Sequence, residues 1–424
     1  VCSSDLTFRQ TCQKNRLKMT SPADPRRFTP VERRSALSLG SIFALRMLGL
    51  FLILPVFAVY ARHLPGGESA FAVGLTLGIY GLTQGILQIP FGAASDRWGR
   101  KPVIAAGLLI FAAGSILAAL GSDIWTVMAG RALQGMGAVS AAVTAMISDS
   151  VRDRVLTKAM AIVGSSIGLT FAFSLVASPV LAHYIGVSGL FWLTAVLSLA
   201  AVWVTYRVVP DAPLVRKEAG TGSDWKATVF NPDLLRLNAG IFILHMAMMA
   251  VFVVIPVEMS RLGLPVSEHW QVYLPAVILS FGVLMPSISR AERAGKMKTL
   301  FLAAVLLLAC VFAGFAAADD SLAAIGVLLF AFFCGFNILE ATLPSFVSRT
   351  ADASAKGLAL GVYNTTQSIG LFVGGALGGW LSQTFGRMGV YAFCLVMMLV
   401  WFFIARGMTP PAAKAREPGE EIKI

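Results

Sequence analysis

Charge is what this sequence has least of. Only 13% of its 424 residues are Asp, Glu, Lys or Arg, about half the share soluble domains carry, while 57% are hydrophobic. That balance excludes an ordinary soluble fold. It also removes the nucleic-acid reading that a net charge of +12 would otherwise invite. Cysteine is scarce as well. The five, Cys2, Cys12, Cys310, Cys334 and Cys394, form no CxxC pair, and the last three fall inside apolar runs, which argues against both a disulfide framework and a thiolate metal site. The four histidines, His63, His183, His245 and His269, show neither metal nor catalytic spacing, so no metal is expected. A phosphate loop of the Walker type is missing, so nothing points to ATP. The chain does not open on Met, and residues 1–18 are polar, without the apolar core of a signal peptide; Met19 is the expected natural start.

What is present is apolar length. Twelve runs approach the roughly 20 residues a bilayer requires: Ala36–Ala61, Phe71–Ser95, Lys101–Leu120, Ile124–Ser148, Leu156–Tyr184, Val187–Arg207, Leu234–Leu262, His269–Ser289, Met297–Ala317, Leu322–Ser348, Lys356–Gln383 and Met388–Gly407. Backbone polar groups in lipid must be satisfied within the segment, so each run is expected to be a helix. The cations fall in alternate connections. Arg33 and Arg34 precede the first run; Arg97, Arg100 and Lys101 follow the second, Arg152 and Lys158 the fourth, Arg207 and Lys226 the sixth, and Arg290 and Lys298 the eighth. The opposite connections hold only Arg62, Arg261 and Arg387. The positive-inside rule then places both termini in the cytoplasm.

The longest internal connection, Val208 to Asp233, contains Pro210, Pro213, Gly220 and Gly222 and reads as a linker. Lys158-Ala-Met-Ala opens the fifth-span region much as Lys356-Gly-Leu-Ala opens the eleventh, a spacing near 200 residues that argues for a duplicated bundle. The expected organisation is a tail over 1–35, a six-helix bundle over 36–207, a linker over 208–233, a second bundle over 234–407 and a tail over 408–424.

The connection between the second and third runs is chemically dense: a carboxylate, three cations and two glycines within Gly92-Ala-Ala-Ser-Asp96-Arg97-Trp-Gly99-Arg100-Lys101. Asp96 and Arg100 are one helical turn apart. Gly92 permits a close neighbour, and Gly99 the positive φ of a sharp reversal. A plain positive-inside loop would explain the cations, but not the acid or the spacing of the glycines. This stretch is similar, at every motif position, to the loop 2–3 signature of the major facilitator superfamily. Arg131-Ala-Leu-Gln134-Gly135-Met-Gly137-Ala138 resembles the fourth-span motif of that superfamily's drug–proton antiporters. Ser41 to Gly49, Ile79 to Gln84, Glu268 to Trp270 and Lys356 to Tyr363 resemble one bacterial branch of it, a likeness running from about Met19 to about Gly407. Some members of that branch carry a soluble domain after the last helix, for which Pro410 to Ile424 is too short. In the fifth span Gly164, Gly168 and Pro179 are present, but the antiporters' Gly-Pro pair reads Ser178-Pro179.

The resemblance implies an all-α integral membrane protein of twelve transmembrane helices in two pseudo-symmetric six-helix bundles, resident in a bacterial inner membrane. It also implies a loop that latches the halves when the cavity faces outward. Asp96 near the start of the eleventh helix would meet unpaired N–H groups and a positive dipole end, with Asp149 as a further partner for Arg100. Arg131 lies within an apolar helix and faces either the bundle interior or, by snorkelling, the membrane surface; the resemblance gives it a part in proton handling. Arg46, His245 and Glu340 are the other charges or titratable groups placed inside runs, as proton carriers or substrate contacts. A hydrogen-bonded core histidine is the plainer reading of His245. Tyr80, Gln84, Tyr363 and Asn364 complete the cavity candidates. Gly164-Ser-Ser-Ile-Gly168 matches a hydrolase nucleophile pattern, but a continuous apolar helix lacks the strand-to-helix turn that pattern needs, so close packing explains it better. The expected function is proton-coupled export of drugs or other amphipathic compounds. The competing reading is proton-coupled symport or facilitated passage of a polar metabolite, with a membrane enzyme or a transporter-fold sensor further off. The expected partners are a small-molecule substrate and the lipid bilayer. No nucleic acid is expected, nor a cofactor beyond a proton gradient, nor a second subunit.

Overall fold

The computed structural model describes residues 28–211, 225–318, 321–352 and 355–409, with the backbone alone at Asp153, Arg154, Thr157, Ala161, Ser165 and Trp225. The expectations on the terminal tails and on most of the linker fall outside that set. The described chain runs α1 (Pro30–Phe51), α2 (Leu54–Tyr60), α3 (Ala70–Trp98), α4 (Arg100–Leu120), α5 (Ile124–Met136), α6 (Ser140–Ser150), α7 (Asp153–Arg207), α8 (Trp225–Val229), α9 (Pro232–Arg261), α10 (Trp270–Arg293), α11 (Met297–Ala317), α12 (Leu322–Thr350) and α13 (Lys356–Arg406). Short 3₁₀ turns lie at Ala61–His63 and Val266–Glu268.

Several helix starts are written in local chemistry. Thr29 and Glu32 form a reciprocal capping box ahead of α1, with Pro30 in the first turn. Ser69 accepts from Ala72 N at the start of α3, Asp123 from Trp125 N and Thr126 N at α5, and Asn231 from Asp233 N and Leu234 N at α9. Gly99 has φ +94°, and this reverses the chain between α3 and α4 without an intervening loop.

Nine helical stretches among the described residues are long and apolar enough to cross a bilayer. Two of them, Lys158–Arg207 and Lys356–Arg406, run to 50 and 51 residues, enough for two crossings each. Each turns back at a glycine of positive φ, Gly186 at +69° and Gly386 at +66°. These two glycines occupy matching places in the two halves. The remaining crossing is α5 followed by α6, 13 and 11 residues, each too short to span alone. The twelve runs are therefore all helical.

That fourth crossing departs from the continuous helix expected over Ile124–Ser148. The ladder breaks at Gly137, whose N–H turns to Gln134 O while Val139 N turns to Gly137 O. A Cβ at Gly137 would press on the Gly107 carbonyl of α4, and one at Gly107 would press on Val139. Close approach of two glycine-bearing backbones and the irregular turn thus occur together.

The halves share a further device. Lys101 in the first turn of α4 donates to Val209 O just past the end of α7, and Lys298 in the first turn of α11 donates to Arg406 O and Met408 O at the end of α13. Each lysine caps the final carbonyls of the last helix in its half.

The first half of α13 is the hub. Its Gly370, Gly374 and Gly378 face Phe242, Met246 and Ala250 of α9, while Gly375 and Gly379 face Gly74, Gly78 and Ala70 of α3. The α9 contact lies within the second half; the α3 contact joins the two halves, and small residues let the backbones touch. Toward the end of the molecule opposite the cation-rich loops, the far face, Gln383 Oε1 accepts from Ser69 Oγ at 2.8 Å and Phe71 N at 3.1 Å. Phe171 of α7 enters between Phe252 of α9 and Phe333 and Phe336 of α12, with ring centroids 5.8–6.2 Å apart. The far face is closed by this seam and plug. Toward the basic face, a Cβ added at Gly164 or Gly168 of α7, or at Gly357 or Gly361 of α13, would meet nothing within 4 Å. The halves part on that side.

Candidate functional site

The loop 2–3 motif makes its contacts within the first half. Arg100 Nε lies 2.8 Å from Asp149 Oδ2 at the end of α6, and its Nη1 lies 2.5 Å from Asp96 and 2.6 Å from Ser95 Oγ. Lys101 bonds Val209 O and pairs with Asp211 at 2.6 Å. Asp96 is 63% exposed by side chain and Arg97 is exposed. Among the described residues no hydrogen bond or ion pair joins this loop to the start of α13. Gly92 approaches only the Ala141 Cβ. With the halves apart at this end, the carboxylate and the helix start expected to meet are held separate.

The fifth-span residues also sit at the parting. Gly164 and Gly168 have open faces, whereas Ser178 Oγ donates to Leu52 O, where α1 gives way to α2. Ser178 therefore satisfies an end carbonyl that the interrupted first span leaves unpaired, and Pro179 follows within α7.

Deeper in, the first half holds two buried guanidinium groups on one tyrosine. Arg46 is 2% exposed; its Nη1 donates to Ser140 Oγ at 2.7 Å and its Nη2 to Gln84 Oε1 at 2.9 Å. Arg131 is fully buried and donates to Gln134 Oε1 at 2.9 Å; Gln134 in turn donates to Ser115 Oγ. Their Cζ atoms lie 5.8 and 4.9 Å from the Tyr80 ring centroid. Arg131 thus turns into the bundle and does not snorkel. Gly135 stacks on Tyr80 O and Thr83 and so sets the distance between α5 and α3, while the motif's other glycine, Gly137, faces Gly107 of α4.

The second half holds the acid. Glu340 on α12 is 29% exposed by side chain, and its Oε2 has no hydrogen-bond partner among the described residues. It stands 3.8 Å from His245 Nε2 of α9. Gln367 of α13 lies 2.7 Å from the same nitrogen, and its amide donates to a neutral imidazole protonated at Nδ1. Tyr363, one turn before Gln367, is 4% exposed with an unpartnered hydroxyl. Asn364 follows it, its carbonyl accepting from Ser368 Oγ. Phe336 packs on His245 at 5.8 Å, so the aromatic plug roofs the acid–histidine pair against the far face. Gln367, Ser140 and Ser115 were not singled out by sequence. Gln367 alone had a legible signal, lying one turn from Tyr363 on the same helix face.

The likeness of this chain to known proteins agrees with that geometry. The Major Facilitator Superfamily model matches residues 39–375. The chain is 43% identical over 390 residues to the inner membrane transport protein YajR of Escherichia coli K12, covering 91% of this chain and 85% of that one. It is 26% identical over 412 residues to the multidrug resistance protein MdtH of Cronobacter sakazakii, covering 88% and 97%. Among solved structures, a variant of the nucleoside transporter NupG superposes with a TM-score of 0.69 at 15% identity, covering 88% of this chain and 98% of that one. These relatives are membrane transporters, not enzymes. The chain belongs to the major facilitator superfamily.

Proposed function

We propose that this protein exports small amphipathic compounds in exchange for protons, by alternating access, with the basic face in the cytoplasm. The observation that carries the reading is Glu340. A carboxylate at the middle of a membrane span, partly exposed and, among the described residues, without a hydrogen-bond donor on its buried Oε2, is expensive to keep unless it is used. His245, 3.8 Å away, offers a second proton position, and Gln367 holds its ring. The aromatic plug then separates this pair from the far face until the halves rock. The relationship to MdtH, named for multidrug resistance, supports the substrate class, and the absence of a Walker loop supports an ion gradient as the energy source. The Arg46–Gln84–Ser140 network supports a second reading, symport of a polar solute.

Proteoliposomes loaded with a pH-sensitive dye and challenged with a panel of amphiphiles and polar metabolites test both. Substrate-triggered proton movement opposite to the substrate, lost in Glu340→Gln, is the expected result. Proton entry together with a metabolite would replace export by symport. Equal proton traces from wild type and Glu340→Gln would overturn the coupling.

A further inference from the structure

We propose that the break in the fourth span is an anion-binding subsite, built from Arg46, Ser140, Gln88 and the first turn of α6, that takes the carboxylate or sulfonate group of an amphipathic organic anion. This deepens the transport reading and rests on it.

Arg46 and Arg131 are buried in one half, and among the described residues no Asp or Glu lies within ion-pair distance of either. Burying a guanidinium without an anion is costly, and neutral partners such as Ser140, Gln84 and Gln134 offset that cost only in part. Arg46 Nε has no acceptor. The half that holds the lone carboxylate is the other one.

The backbone adds to this. Because the helix breaks at Gly137, α6 begins at Ser140 in mid-membrane with no side chain capping it. Its first N–H groups have no intrahelical acceptor, and its dipole presents a positive end. Arg46 Nη1 reaches that same point, 2.7 Å from Ser140 Oγ. Interrupted membrane helices whose N-terminal ends face anionic solute groups are a recurring transporter solution.

Gln88 is the independent observation. It is 1% exposed, yet neither Oε1 nor Nε2 has a partner. It lies one turn beyond Gln84, which holds Arg46, and one turn before Gly92, which meets Ala141 of α6. Gln88 is therefore on the face of α3 that meets the first turn of α6. The Arg46 guanidinium reaches the helix N-terminus at Ser140, and Gln88 adds an unpartnered buried amide on the face of α3 beside it. The guanidinium and the helix end are positive in character and Gln88 Nε2 is an unused donor, so an anion suits the three, whereas a cationic compound would meet two guanidinium groups and no carboxylate.

A matched trio of probes separates charge from hydrophobicity: 4-phenylbutyrate, its neutral amide and the corresponding amine, each added to the purified full chain in nanodiscs while thermal stability is followed, with sodium chloride as a fourth arm. The expected result is stabilisation by the carboxylate alone. Arg46→Gln should weaken its apparent affinity about ten- to a hundredfold, the loss of a charge-assisted contact. Gln88→Leu should raise the melting temperature without ligand, because it removes an unpaired buried amide, and yet reduce the carboxylate's stabilising effect. A purely structural role for Gln88 predicts the opposite sign without ligand and no change with it. Stabilisation by the amine in preference to the carboxylate, equal stabilisation by all three, none by any, or full replacement of the carboxylate by chloride would overturn the proposal. Because the readout here is binding and that of the transport reading is proton flux, failure of the anion site and failure of the transport reading are seen in separate measurements.

Discussion

Gly375 offers the sharpest lever on the conformation. A Cβ there would lie 2.9 Å from Gly78 Cα and N and closer still to the Gly74 carbonyl, all backbone of α3 in the other half. None of these atoms can swing aside as a side-chain tip can, so Gly375→Ala must push α3 and α13 apart along the far-face seam. Overpacking of this kind costs about 1–3 kcal/mol. The cost falls on the state with the far face closed and is relieved when the seam opens, so the equilibrium should move about 5–150-fold toward the opposite state. Gly374 is the internal control. It faces Met246 of α9, within its own half, so Gly374→Ala should lower stability without changing which face is open. The assay is disulfide trapping between cysteines placed at Ser69 and Gln383, whose side chains meet at 2.8 Å, in a chain whose native cysteines are replaced. Slower trapping in Gly375→Ala than in Gly374→Ala is the predicted outcome. Equal trapping in both variants would refute the seam as a gate.

Three further outcomes follow from the same contacts. Asp96→Asn should cost at most about 1 kcal/mol of stability, since Asp96 is largely exposed and paired only within its own half, yet it should disfavour the state in which the basic face closes; labelling of cysteines on the two faces reads this shift. Glu32→Gln should destabilise the first half by about 1–3 kcal/mol, because the buried Glu32 carboxylate accepts from Arg152 N, Nε and Nη2 and from Thr29 N; a thermal melt of the purified protein checks it. Gln367→Leu should leave the fold intact but free the His245 ring, so that the pH profile of transport moves while expression does not.

Much of this molecule is legible in its sequence because membrane insertion imposes simple rules. Length and apolarity mark the spans, and the positive φ needed at Gly99 is readable from a ten-residue motif with no room for a loop. The departures have physical reasons. Gly137 reads as a motif glycine within a continuous span, since glycine is common in membrane helices, and its close approach to Gly107 and the break beside it are visible only in the fold. Gln88 looks like an ordinary polar residue until the position of Arg46 is known, and Gln367, one turn from Tyr363, gains its meaning only from the position of His245. Asp96 illustrates a different limit: its motif is visible in the sequence, but its partner depends on which face is open, and one conformation displays only the Arg100 side of the relay.

Alternating access requires that closure at one face be exchanged for closure at the other. Spin labels at Ala93 and Leu358 report the basic face, and a second pair at Glu68 and Thr384 reports the far face. Pulsed distance measurements on both pairs, in wild type and in Gly375→Ala, test that exchange directly. In the variant the far-face distance should lengthen while the basic-face distance shortens. A far-face distance that lengthens with no change at the basic face, or distances that grow together, would contradict it.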